Sequence, residues 1–285
     1  MHKYFALYRP LNLFFITLAQ LLCAYYLDPY ASISSLIAKG ILWLILGTVA
    51  CSSFGYWIND FLDKERDSIN KVKTFDISTL PTFVIYLHLF VLVILAVFSG
   101  LMLSPLFLYI NLLTLFLLSL YSLILKNIAF LGNLLIAFLS FVSIFMLLFL
   151  FPDIDYALLF HFATLAGVLT LCRELVKDGE DSEGDRITGA KTVPIVFGTS
   201  TLNISVYVLL IFIISFSVMS LYHQSMYFPA ALRNVYYSYY LLFILIPLYA
   251  IAVEVRYAQD KHQYAKLSLR LKYVLATGIL SILFF

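Results

Sequence analysis

The stretch Leu80-Pro81-Thr82-Phe83-Val84-Ile85-Tyr86-Leu87-His88-Leu89-Phe90-Val91-Leu92-Val93-Ile94-Leu95-Ala96-Val97-Phe98-Ser99 contains no Asp, Glu, Lys or Arg. About 20 apolar residues are what a helix needs to cross a hydrocarbon core of roughly 30 Å. Eight further runs of this kind lie to either side, near 10–27, 40–58, 105–125, 128–150, 156–176, 201–222, 236–257 and 268–285. None alternates apolar and polar residues as a barrel strand does. In lipid the backbone must satisfy its own hydrogen bonds, so nine such runs predict nine helices. The expected fold is all-α: a polytopic membrane protein, a nine-transmembrane-helix bundle, with residues 1–285 forming a single domain. A hydrophobic share of 63% and a charged share of 12% exclude a soluble fold. Arg9 precedes the first run and no small-residue cleavage site follows it, so this run reads as a retained helix.

The 18 Lys and Arg residues are unevenly divided among the loops. With the N-terminus cytoplasmic, Lys3, Arg9, Lys64, Arg66, Lys71, Lys73, Lys126, Arg173, Lys177, Arg186, Lys191, Arg256, Lys261, Lys266, Arg270 and Lys272 fall on the inner side. The outer side keeps only Lys39 and Arg233. Positive residues are retained in cytoplasmic loops, so the expected location is the cell inner membrane with the N-terminus inside. Cys23, Cys51 and Cys172 lie inside apolar runs and suggest small buried side chains, not a disulfide framework or a zinc site. The five His residues form no i, i+4 pair, so they are not expected to bind metal.

Of the 16 acidic residues, 11 fall near 60–76 and 174–185, two stretches on the inner side. The first reads Asn59-Asp60-Phe61-Leu62-Asp63-Lys64-Glu65-Arg66-Asp67. Asn59, Asp63 and Asp67 step by four, which on a continuing helix places them on one face. Like charges at that spacing repel, so the ladder makes sense if a cation offsets it. The second reads Arg173-Glu174-Leu175-Val176-Lys177-Asp178-Gly179-Glu180-Asp181-Ser182-Glu183-Gly184-Asp185-Arg186. Glu174, Asp178, Asp181 and Asp185 step by four, three and four, one stripe provided Gly179 and Gly184 do not break the helix. Hard oxygen ligands beside Lys and Arg suit magnesium and a phosphate group. The apolar bundle in turn suits a diphosphate with a long hydrocarbon tail.

These residues resemble the signature loops of the UbiA superfamily of intramembrane prenyltransferases, and the resemblance covers nearly the whole chain. Residues 59–67 match its first motif, NDxxDxxxD, at every specified position. Asp181 to Asp185 matches its second, DxxxD, and Gly184 to Pro194 is similar to the segment that follows it. Arg9-Pro10-Leu11-Asn12 resembles the RPxN entry to the first helix. Tyr121 and Lys126 resemble the YxxxK pair after the fourth helix, except that the step here is five. The run from Tyr121 to Ala137 is similar to the prokaryotic geranylgeranylglyceryl-phosphate branch.

The resemblance implies a transferase that moves a prenyl group from its diphosphate, of farnesyl, geranylgeranyl or longer chain, to a nucleophilic acceptor. Aromatic quinone precursors and glycerol-phosphate-type lipids are both open as acceptors. It also implies Mg2+ as cofactor, held by Asn59, Asp60, Asp63 and Asp67 on one loop and by Asp181 and Asp185 on the other, with Asp178 as a further metal candidate. Asp63, Asp67, Asp181, Asp185 and Lys126 are the catalytic candidates. Lys126, Arg173 and Lys177 would share the charge of the leaving group. Arg66, Arg186 and Lys191, beside the motifs, and Arg9 and Asn12, at the entry, complete the substrate-binding candidates. Membrane lipid is an expected partner and nucleic acid is not. The rival readings are a cation transporter or channel, which would place acids near the midplane of several spans, and a silent prenyl-diphosphate-binding scaffold.

Overall fold

A computed structural model describes residues 4–64, 77–225 and 228–285. Nine long helices carry the fold among the described residues: α1 (Pro10–Tyr26), α2 (Ile41–Leu62), α3 (Thr82–Leu103), α4 (Pro105–Leu123), α5 (Leu131–Phe145), α6 (Tyr156–Glu180), α7 (Gly198–Ser225), α8 (Ala230–Val255) and α9 (Lys261–Leu280). Eight of them are long and apolar enough to cross a bilayer, and α1, with 17 residues, is a shorter apolar helix. The sole β-type pairing among the described residues is an isolated parallel bridge between Ile128 and Lys191.

Local chemistry explains where the helices begin. Arg9 precedes a proline, which disfavours the right-handed helical region, and it sits instead at φ 48°, ψ 58°. Pro10 then starts α1, where its missing N–H costs nothing. The Asp155 side chain caps α6 by accepting from the Leu158 N–H at 2.9 Å. Asp260 and Gln263 form a reciprocal capping box that opens α9. Within α8, a π turn over Leu241–Leu245 precedes Pro247, which supplies no N–H to the helix ladder.

Helix starts are the main difference from the expected spans. The last span begins at Lys261, not 268, because its first turns carry Lys261, Lys266 and Arg270 and fold as helix all the same. The short helix Ile33–Lys39 between α1 and α2 was also not expected; Ser32 and Ser35 cap it, and Gly40 at φ 92° ends it.

The helices pack as two groups. α2, α3 and α4 pack against one another, while α6 packs on α5, α7 and α9. α1 touches α2, α5 and α9 and so bridges the groups. The buried apolar residues divide in the same way, one cluster centred on Trp57 and Ile85, the other on Leu159, Leu210 and Leu248. The bundle exposes large apolar side chains such as Phe83, Phe116, Ile204 and Tyr249, as a lipid-facing surface requires.

Candidate active site

A cavity of about 340 Å³ lies between the two groups, walled by α1, α2, α4, α5, α6 and α9 with α8 at its deeper part. α3 and α7 contribute nothing to its lining. One end is polar, with Asn59, Asp63, Lys126, Lys177, Asp181 and Asp185; the other is apolar, with Cys23, Ile144, Met146, Phe162 and Leu248. The two acid-rich stretches, more than a hundred residues apart in sequence, therefore face one space.

The first stretch reaches it at the end of α2. The helix stops at Leu62, and Asp63 caps it with its N–H bonded to the Asn59 carbonyl. Asn59 and Asp63 line the cavity, and Asp63 is buried. Asp60 points elsewhere: its Oδ1 accepts from Arg9 at 2.9 Å. Arg9 also lies over the Tyr56 ring, 4.7 Å from its centroid. Burial opposes the Arg9 charge, but Asp60, with smaller help from Tyr56 and Glu174, more than offsets it, so the guanidinium pKa is raised. Asn12 lines the cavity near Tyr56. Arg66 and Asp67 lie outside the described residues.

The second stretch is not one continuous helix. α6 runs through Gly179 without a break and ends at Glu180; Asp181 (φ −93°, ψ 4°) then turns the chain into a short helix, Ser182–Ile187. Gly179 is required there because a Cβ would lie 2.8 Å from the Tyr264 ring and 2.9 Å from Leu202. Glu174, Asp178, Asp181 and Asp185 nonetheless all line the cavity. Asp185 is buried and accepts from Thr192 Oγ1 at 2.9 Å. Asp178 accepts from Asn133 Nδ2 at 3.0 Å. Arg173 and Lys177 also line the cavity, whereas Arg186 and Lys191 are exposed and do not.

The connection between α4 and α5, together with the first turn of α5, ties both stretches together. Lys126 donates to Asp63 at 2.7 Å, Ile128 pairs with Lys191, and Asn133 holds Asp178. It also accounts for the five-residue step from Tyr121 to Lys126. α4 ends at Leu123, Ile124 turns at φ −130°, ψ −57°, and Leu125–Asn127 form a 3₁₀ turn, so the extra residue is absorbed and both side chains line the cavity.

Among the described residues no three acidic or His/Cys side chains converge closely enough to hold a metal ion unaided. The donors still suit a hard divalent ion that keeps several ligand positions for water or phosphate. They are all oxygens, and Asn59 Oδ1 is buried with no hydrogen-bond partner among the described residues. The lining residues outside the site candidates read from sequence include Tyr56, Glu174, Thr192 and Lys272. Glu174 had a signal in the helical stripe. Lys272 had none, because it falls in the last apolar run and counts only among the inner-side basic residues.

Comparison with known proteins gives concordant findings. The UbiA prenyltransferase family matches residues 13–275. Digeranylgeranylglyceryl phosphate synthase of Methanoregula boonei is 32% identical over 201 residues, which cover 68% of this chain and 68% of the relative. A solved structure described as digeranylgeranylglyceryl phosphate synthase superposes with a TM-score of 0.66 at 22% identity, covering 99% of both chains. A UbiA homologue from Archaeoglobus fulgidus bound to DMAPP and Mg2+ superposes with a TM-score of 0.65 at 16% identity, covering 98% of this chain and 99% of the other. These structural likenesses show the fold.

Proposed function

The chain belongs to the UbiA prenyltransferase family, and from that premise we propose that it transfers a prenyl group from a prenyl diphosphate to the hydroxyl of a glycerol-phosphate-type lipid, with Mg2+ as cofactor. The observation that carries this reading is the shared cavity, with both acid-rich stretches at its polar end and apolar side chains beyond. The acceptor class is supported by the names of the relatives and the cofactor by the homologue bound to DMAPP and Mg2+. We place the polar end at the cytoplasmic face of the inner membrane, because the basic residues cluster in the loops beside it.

Asn59, Asp63, Asp181 and Asp185 would hold the cation, with Asp67 and Asp178 as further ligands. Magnesium bound there supplies positive charge that offsets the charge growing on the leaving diphosphate. Lys126 lies 2.7 Å from Asp63, close enough to exchange that carboxylate for a phosphate oxygen. Thr192 fixes the Asp185 carboxylate through its hydroxyl, and Asn133 does the same for Asp178. The apolar wall of Ile144, Met146, Phe162 and Leu248 takes up the tail and keeps water from the allylic cation. The diphosphate departs with the electron pair of the broken C–O bond. The acceptor oxygen then forms the new C–O bond, and its proton passes to the departed diphosphate. A cation pathway fits less well, since the cavity's carboxylates gather at one end of the bundle.

The test is diphosphate release in membranes containing the full chain, with radiolabelled geranylgeranyl or farnesyl diphosphate and a panel of glycerol-phosphate and aromatic acceptors. Asp63→Ala and Asp185→Ala should each abolish release, and chelation of Mg2+ should do the same. Wild-type turnover in either variant would refute the metal assignment, and labelling of aromatic acceptors alone would refute the acceptor class.

A further inference from the structure

The cavity holds one cationic group that its acids do not engage and another that they engage only in part. Lys272 of α9 lines it half-buried, and the charged groups acting on it are Arg173, Lys177 and Arg9, all of like sign. Among the described residues Lys272 makes no hydrogen bond or ion pair. Arg173 is paired with Glu174 through Nη1 at 3.0 Å, but its Nε is buried with no acceptor. A half-buried ammonium beside other cations and a buried N–H with nothing to donate to are both unfavourable. An anion between α6 and α9, which pack along each other, relieves both at once. The carboxylates suited to a cation-bound diphosphate enter from α2 and from the end of α6 and the turn beyond it, whereas Lys272 enters from α9.

We propose that Arg173 and Lys272 form a second anion subsite, which takes the phosphate monoester of the acceptor and selects the acceptor by that group. This rests on the acceptor class proposed above. The bound phosphate anchors the acceptor at the polar end of the cavity, so its hydroxyl is presented where the prenyl carbon is released. Two anions are then held by different means, the diphosphate through a cation on carboxylates and the monoester directly on basic side chains.

The experiment uses the purified full chain, geranylgeranyl diphosphate, and two acceptors: a prenylated glycerol phosphate and the same lipid without its phosphate. Lys272→Gln should raise KM for the phosphorylated acceptor about tenfold and leave KM for geranylgeranyl diphosphate within about twofold. Lys272→Arg should restore the acceptor KM. An unchanged acceptor KM in K272Q, or a rise confined to the diphosphate KM, overturns the subsite. A wild-type protein that uses both glycerol lipids equally well also overturns it while sparing the acceptor class. A wild-type protein that prenylates neither overturns that class as well.

Discussion

Asp63 and Lys126 meet at 2.7 Å with side chains 11% and 8% exposed, so neither charge has much water to fall back on. Removing one partner of such a pair typically costs about 3–5 kcal/mol, because the other charge stays buried. Lys126→Met should therefore lower the unfolding temperature markedly and reduce turnover about 10²- to 10³-fold. The double variant Asp63→Asn, Lys126→Met should regain most of the stability and none of the activity. If Asp63 binds the cation, added Mg2+ should stabilise K126M more than wild type, since no lysine then competes for the carboxylate. Equal shifts in thermal unfolding would remove Asp63 from the ligand set. The spacing of Asn59, Asp63, Asp181 and Asp185 made these residues legible in sequence, since four-step carboxylates need a cation or a partner to coexist. Asn133 and Lys272 were not legible: Asn133 meets Asp178 across 45 residues, and Lys272 sits among basic residues that resemble any membrane anchor.

The connection from Ile124 to Phe130 is the element that brings the two motifs to one cavity, and its shape depends on Gly132. A Cβ at that position would lie 2.8 Å from the Leu125 carbonyl oxygen and 2.9 Å from the Lys126 Cα, both backbone atoms that cannot turn aside. Gly132→Ala should displace Lys126 from Asp63, cost about 1–3 kcal/mol of stability and lower turnover at least as strongly as it lowers stability. Gly189→Ala is the control: its φ is 72° but nothing lies within 4 Å of the added carbon, so it should cost only about 1–2 kcal/mol through backbone strain. Equal activity in G132A and G189A would show that the tight approach does not position Lys126. At this scale the nine apolar runs were legible because hydrocarbon length and backbone hydrogen bonding leave the chain few alternatives. The start of α9 and the turn at Asp181 were not, since a capped, Lys-rich helix and a hinge between two acids both look like polar loop by composition.

At the scale of the molecule, α1 sets the length of the cavity. The lining runs along it from Arg9 and Asn12 through Ala19 to Cys23, a span of about 20 Å at about 1.5 Å per residue. Ala19 and Cys23 are small and buried, so a larger side chain there has nowhere to go except into the space the tail would fill. Cys23→Phe should leave short prenyl diphosphates accepted and raise KM for geranylgeranyl diphosphate, and Ala19→Phe, closer to the mouth, should move the cut to a still shorter chain. Because neither residue belongs to the polar end, the Mg2+ dependence and the response to acceptor phosphate should not change. Competing a series of prenyl diphosphates of increasing length for one acceptor, and reading the product lengths by mass spectrometry, gives the preference of each variant. The same length profile in all three proteins would mean that the tail leaves the bundle between helices and lies in lipid, and that the apolar end of the cavity is not its binding site.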